Sequence, residues 1–360
     1  MNTDQPPSTA WLIYGANGYT GRLIAREAVK RGLRPILAGR SNENLESLAR
    51  ELDLPVRVFK LDDQQMIVSA LQDVSLVLNC AGPFSATAQA MIQGCLQAKV
   101  HYLDVTGEID VFEKAQMQHA AAQVAGIVIC CGVGFDVTPT DCVAAMLKQA
   151  MPDASHLALG FKTSSPPSPG TSKTVIESLA LGGMVRKKGI IHQVSQAWDV
   201  RKIDFGTGPE SAMTIAWGDV STAYWTTSIP NIAVYVPVPA GAGTMIRLIG
   251  SRLGWLWRRQ SVITLLNTLV DKYVSGPDET TRTQHPMQVW GEVTNTRGEC
   301  KTAWLQTANG YDVTINSALG IVQYLLDKPF SHKGYFTPSQ LMGTDFISTL
   351  PGSSSICIQT

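Results

Sequence analysis

Gly15, Gly18 and Gly21 stand at i, i+3 and i+6 between the apolar run Leu12-Ile13-Tyr14 and the amphipathic stretch Ile24-Ala25-Arg26-Glu27-Ala28-Val29. A strand that breaks into three such glycines and re-forms as a helix is built to hold a pyrophosphate. The first glycine allows the sharp turn off the strand, the second lets the backbone approach the phosphates, and the third lets the helix lie close to the sheet. The backbone N–H groups and the dipole at the helix start then hold the phosphate charge. Asn17, Tyr19 and Thr20 complete this candidate loop.

The second strand, Pro35-Ile36-Leu37-Ala38-Gly39, ends at Arg40 and Ser41 with no carboxylate before Glu43. An Asp or Glu there binds the ribose 2′-hydroxyl of NAD, whereas an Arg faces the 2′-phosphate of NADP. A guanidinium fork suits a phosphate and its flat face can stack on adenine. NADP(H) is therefore expected over NAD(H). Asp62, at the end of the third strand, is a candidate acceptor for the adenine amine. After the fourth strand, Asn79, Ala81 and Gly82 are small enough for the backbone to run close to a ribose and nicotinamide, and Pro83 ends the strand.

Hydride chemistry needs a donor for the charge that develops on the acceptor. Asp136, in Gly132-Val133-Gly134-Phe135-Asp136-Val137-Thr138-Pro139-Thr140-Asp141, is the first candidate to orient a substrate amine or relay a proton; the alternative is an Asx-type turn or a cap for the following helix. Asp141 reads as the N-cap of the helix that follows. Lys173, after Gly170-Thr171-Ser172, is a candidate to bind a carboxylate or stabilise an enolate, and Tyr102 a candidate proton donor; a solvated lysine and a buried, hydrogen-bonded tyrosine are the plain alternatives.

These residues need a scaffold that presents strand ends. Strands are expected at 11–14, 34–38, 56–60, 75–80, 100–104 and 127–131, with helices at 20–31, 43–51, 65–71, 86–98 and 109–124. Such alternation makes right-handed βαβ crossovers and a parallel sheet covered on both faces, with ligands at the carboxyl ends of the strands. The expected architecture is α/β: a Rossmann-type doubly wound parallel sheet in residues 1–150, then an α+β domain with a mostly antiparallel or mixed sheet in 151–310. Residues 311–360 are expected to form a C-terminal helix and tail returning to the first domain. Gln288 to Thr307 reads as a hairpin about Asn295-Thr296-Arg297-Gly298, and further helices are expected near 171–182, 243–257 and 261–273.

Composition narrows the class. The 360 residues carry 29 basic and 29 acidic side chains, a net charge of zero, which argues against a nucleic-acid binder. The seven cysteines form no CxxC pair and read as reduced, buried thiols of a cytoplasmic protein. The histidines lack metal-binding spacing, so no metal is expected. The start of the chain lacks the basic and apolar regions of a signal peptide. Residues 245–259 are apolar on a broad face and basic elsewhere, fitting a core or subunit-contact helix or a peripheral membrane or lipid contact.

The glycine loop, Asn79-Cys80-Ala81-Gly82-Pro83-Phe84, Tyr102-Leu103-Asp104-Val105-Thr106-Gly107-Glu108 and the 132–141 loop together resemble the saccharopine dehydrogenase-like oxidoreductases, including the trans-acting enoyl reductase branch. The resemblance continues through Gly170-Thr171-Ser172-Lys173-Thr174, Trp290-Gly291-Glu292-Val293, Gly310-Tyr311 and Thr337-Pro338-Ser339. It implies an NADP-binding Rossmann domain, a second α+β domain, and hydride transfer to a small-molecule substrate in the cleft between them. A homodimer is expected. The second domain shows no arginine cluster to clamp an amino-dicarboxylic substrate, which counts against saccharopine itself. The expected reaction is reduction of a C=N, C=O or activated C=C bond of a small or moderately apolar metabolite. An enoyl reductase for a carrier-bound or lipid chain and a non-catalytic NADP(H)-binding sensor or membrane-surface protein are the alternatives.

Overall fold

In a computed structural model, residues 10–163, 165–170, 172, 176, 182–247, 260–274, 278, 280, 285–327 and 332–359 are described. Apolar runs short enough for strands alternate with amphipathic ones from the start: β1 (Trp11–Tyr14), α1 (Tyr19–Lys30), β2 (Ile36–Gly39), α2 (Glu43–Leu52), β3 (Val56–Val58), α3 (Gln64–Leu71), β4 (Leu76–Asn79), α4 (Phe84–Ala98), β5 (His101–Asp104), α5 (Ile109–Gln116), α6 (His119–Ala125) and β6 (Val128–Cys130). The strands are parallel in the order β6-β5-β4-β1-β2-β3. This is the order of a dinucleotide-binding sheet, with its switch point between β1 and β4. Every residue of β1, β2 and β4 is buried, as central strands covered on both faces must be. Helix α1 turns Gly21, Ile24, Ala25 and Ala28 inward at helical spacing. The single helix expected over 109–124 is two, α5 and α6, separated at Met117 and Gln118.

Next come α7 (Thr138–Ala150), β7 (Ala154–Lys162), β8 (Gly183–Lys187), β9 (Ile190–Val194), β10 (Val200–Asp204), β11 (Pro209–Ile215), α8 (Asp219–Thr227), β12 (Asn231–Pro237), α9 (Gln260–Tyr273), β13 (Met287–Asn295) and β14 (Cys300–Thr307). A second sheet runs β10-β11-β12-β7-β13-β14, with β8 paired to β12 and β9 paired to β8. Only β12 and β7 run parallel along that path; the others are antiparallel, so the sheet is mixed as expected. The hairpin β13–β14 turns at Asn295–Gly298 as read from sequence.

The chain divides into two compact units. Within the described residues, the first takes in the chain up to Thr106, Asp110–Gly134 and Thr314–Phe336; the second takes in Gly107–Ile109, Phe135–Val313 and the residues from Thr337. The second unit therefore takes in the sixteen residues Phe135–Ala150, which lie before the expected boundary. The reason is α7, which packs on the second sheet: a Cβ on Gly291 of β13 would sit 2.6 Å from Val143 and 2.8 Å from Leu147. Helix α10 (Gly310–Asp327) passes into the first unit at Thr314, and β15 (Gly334–Tyr335) adds in parallel to β6. The tail does not stay there. Helix α11 (Pro338–Met342) packs against α7, and β16 (Cys357–Gln359) pairs with β14, because that strand's outer edge supplies the backbone partners.

All seven cysteines are free, but Cys300, at the start of β14, and Cys357, on the edge strand β16, are exposed. The expected helices at 171–182 and 243–257 lie largely outside the described residues, as does most of 245–259; Met245 is exposed. No described helix is long and apolar enough to cross a membrane.

Candidate coenzyme and acid sites

The glycine loop is packed so tightly that side chains are excluded. Gly15 has φ +79°, and a Cβ there would lie 2.7 Å from the backbone nitrogen of Ala81. A Cβ on Gly21 would strike the Gly15 carbonyl oxygen and come within 2.8 Å of Ala16 Cα. The turn is closed by Gly18 N donating to Gly15 O at 3.0 Å and by Gly15 N donating to Ala38 O at 2.8 Å. Gly18 is the N-cap of α1, no side chain caps the helix, and its first turn carries no acid. The positive end of the dipole is thus not neutralised from within α1. Asn17, Tyr19 and Thr20 are half-buried around this turn, and Gly18 is exposed.

Arg40 and Ser41 lie exposed just after β2. Tyr14, whose hydroxyl donates to Phe59 O at 3.1 Å, feels both Arg40 and Asp62, so the two charges flank the same strand end. Burial holds the Tyr14 hydroxyl above its ordinary range; the Arg40 charge lowers it and the Asp62 charge raises it. Among the described residues neither Arg40 nor Asp62 has a hydrogen-bond or ion-pair partner, whereas Arg26, Arg31, Arg34 and Arg57 of the same unit are all paired with acids. The donors of this guanidinium are not taken up by an acid of the described chain.

The strand ends beyond β4 form a buried network. Asn79 Oδ1 accepts from Ala81 N at 3.0 Å, while its Nδ2 donates to Thr87 Oγ1 and to the Tyr102 hydroxyl, both at 3.3 Å. Tyr102 donates to Asp104 Oδ2 at 2.9 Å. Asp104 Oδ1 accepts from Thr106 N at 3.1 Å and Gly132 N at 2.8 Å, and the Cys131 thiol also reaches the carboxylate. Burial pushes the Asp104 carboxyl up to about 6, and these hydrogen bonds oppose the rise. Two expectations change. Tyr102 is wholly buried and its hydroxyl is used on both sides, so it is not placed to donate a proton to a substrate. The Asn79 side chain points into the same network and shapes the turn that carries Ala81 and Gly82.

In the second unit, Asp136 is half-buried and its carboxylate has no hydrogen-bond partner among the described residues. Burial pushes it up to about 7. Its backbone is held by Trp217 Nε1, which donates to Asp136 O at 2.9 Å. Gly107 makes room for the carboxylate: a Cβ there would stand 3.0 Å from Asp136 Oδ2. Phe135, Phe161 and Trp217 form an aromatic row beside it, with ring centroids 5.7 and 4.7 Å apart.

Asp141 does not cap α7, which starts earlier, at Thr138. Its carboxylate instead accepts from Ser339 N at 2.8 Å, in the first turn of α11, and from the Thr226 hydroxyl. Asp219 carries no sequence signal and is the less expected finding. It is wholly buried at the start of α8, and neither carboxylate oxygen accepts a hydrogen bond of normal geometry. The Thr140 hydroxyl lies beside it but donates to Val137 O at 2.9 Å. Burial raises Asp219 well above the usual carboxylate range, and the Asp141 and Asp136 charges raise it further. Lys173 lies outside the described residues.

The family model for the saccharopine dehydrogenase NADP binding domain matches residues 11–130. An Arabidopsis thaliana protein named "Probable mitochondrial saccharopine dehydrogenase-like oxidoreductase" is 31% identical over 160 residues, 39% of this chain and 35% of that protein. The Homo sapiens saccharopine dehydrogenase-like oxidoreductase is 26% identical over 161 residues, 39% of this chain and 37% of that one. The likeness thus spans little more than a third of these relatives. Apo saccharopine dehydrogenase (L-Glu forming) of Saccharomyces cerevisiae shares the fold at TM-score 0.66 and 10% identity, over 97% of this chain and 99% of that one. Homospermidine synthase of Legionella pneumophila, in complex with NAD, does so at TM-score 0.65 and 10% identity, over 97% and 91%. Residues 11–130, with their glycine turn, switch-point sheet and unpaired Arg40, are an NADP-binding domain of the saccharopine dehydrogenase type, in a chain that resembles the saccharopine dehydrogenase-like oxidoreductases.

Proposed function

We infer that the chain is an NADPH-dependent reductase of a C=N, C=O or activated C=C bond in a small or moderately apolar metabolite. Bound NADPH supplies the hydride. Gly15, Gly18 and Gly21 hold the pyrophosphate, Arg40 and Ser41 the 2′-phosphate, and the Ala81–Gly82 backbone borders the nicotinamide ribose. The observation that carries the reading is Asp136. Its half-buried carboxyl has no partner among the described residues, and burial brings its proton affinity near neutrality. A general acid works best when its pKa lies near the operating pH. The aromatic row of Phe135, Phe161 and Trp217 keeps the carboxyl in apolar surroundings and favours an apolar substrate flank.

The test is loss of NADPH absorbance with a panel of imines, enones, ketones and enoyl thioesters. Turnover should fall as the pH rises through about 7, because Asp136 loses its proton there. Asp136→Asn should lower turnover by about 100-fold or more and leave NADPH affinity unchanged. A folded Asp136→Asn protein with unchanged turnover would make Asp136 a turn-former. A wild-type protein that binds NADPH and reduces nothing in the panel would be a coenzyme-binding sensor instead.

A further inference from the structure

We propose that Asp104 is a positioning residue for the nicotinamide half of the coenzyme site, acting through Tyr102 and Asn79 on the Ala81–Gly82 backbone. The sheet order divides the strands into two halves about the switch point, β1-β2-β3 and β4-β5-β6. Each half takes one nucleotide of a dinucleotide. Arg40 and Asp62 follow β2 and β3, so the 2′-phosphate and adenine belong to the first half. The nicotinamide nucleotide then falls to the ends of β4, β5 and β6.

Those three strand ends are tied to one another by a single carboxylate. Asp104, the last residue of β5, accepts from the backbone of Gly132 beyond β6 and from Thr106 beyond its own strand. Through the Tyr102 hydroxyl and the Asn79 amide it reaches Ala81 N beyond β4. Thr87 closes the circuit by donating to Ala81 O at 2.6 Å. Asn79, Tyr102 and Asp104 are each 0% exposed. None of them can touch a coenzyme, so their effect on it must pass through the loops they fix. Ala81 also abuts the glycine loop, where a Cβ on Gly15 would meet its nitrogen and Cα. The network therefore sets how far the β4 loop stands from the pyrophosphate turn.

A fragment experiment separates positioning from general support of the fold. Binding of NADPH is followed by its fluorescence, and binding of 2′,5′-ADP, which carries the adenine and 2′-phosphate but no nicotinamide, by calorimetry. Tyr102→Phe keeps the carboxylate and its two backbone hydrogen bonds but cuts the link to Asn79. It should weaken NADPH by about tenfold, while 2′,5′-ADP binds within about twofold of wild type. Asp104→Asn should show the same split, and Tyr102→Phe serves alone if that variant does not fold. Equal weakening of both ligands in a folded Tyr102→Phe protein, or no weakening of either, would overturn the proposal. A wild-type protein that binds neither ligand would overturn the coenzyme assignment on which it stands.

Discussion

Asp104 in the first unit and Asp219 in the second are both wholly buried acids, yet their surroundings are opposite. Asp104 sits among four donors, two backbone amides, a tyrosine hydroxyl and a thiol, and its carboxyl is pushed up only to about 6. Asp219 has the same burial but accepts no hydrogen bond of normal geometry, and its carboxyl rises well above the usual range. Burial alone favours the neutral acid, and hydrogen bonds to the carboxylate restore the charged form. The first unit uses its buried acid to tie the ends of β4, β5 and β6 together. In the second unit Asp141 is hydrogen-bonded in the same way, whereas the Asp219 and Asp136 carboxylates accept no hydrogen bond of normal geometry among the described residues.

The contrast is broken most directly by removing each carboxyl. Asp104→Leu strands the amides of Thr106 and Gly132 and the Tyr102 hydroxyl. Denaturant unfolding should report a loss of about 3–5 kcal/mol. If the loss is below about 1 kcal/mol, the network does not hold the strand ends. The contrast extends to the rim, where Arg40 is unpaired. Arg40→Asp should weaken NADPH by about 10- to 100-fold, because it removes a phosphate partner and adds repulsion, and change NADH by much less. Equal losses would remove Arg40 from the 2′-phosphate.

A further expected effect concerns pH. An unfolded Asp titrates near about 3.9, and Asp104 in the folded chain is pushed up to about 6. The folded state thus holds this proton more tightly. The stability it contributes is complete below about pH 4 and is lost as the pH climbs to about 6, on the order of 3 kcal/mol in all. Asp219 has the same sign, with a window that starts at the same lower limit and extends further upward. Asp219→Asn should therefore stabilise the protein at pH 8 by about 1–3 kcal/mol and change little at pH 4. Destabilisation at pH 8 would mean that Asp219 is ionised and well paired, and the contrast would fail.

The first sheet was readable because its signals are local. Trp11–Tyr14 can only be a buried strand, and the glycine spacing after it permits one turn; the turn chemistry and the sheet order agree. Asp104 carries a local signal of its own: it stands two residues after Tyr102 on β5, so both side chains share a face. Asp141 was misread because the helix start at Thr138, with Pro139 in its first turn, looked like a loop. The amide that donates to its carboxylate, Ser339 N in the first turn of α11, lies 198 residues away. Nothing near Asp219 in the sequence announces that it is buried and unpartnered.

The sequence by itself determined the parallel sheet, the pyrophosphate turn and the arginine that follows β2, since each depends on neighbours within a few residues. Tertiary structure alone decided which buried acids are hydrogen-bonded and how far burial raises their proton affinity. A carboxyl's proton affinity follows from what surrounds it in space, and for Asp104, Asp141 and Asp219 those surroundings are assembled from segments far apart in the chain.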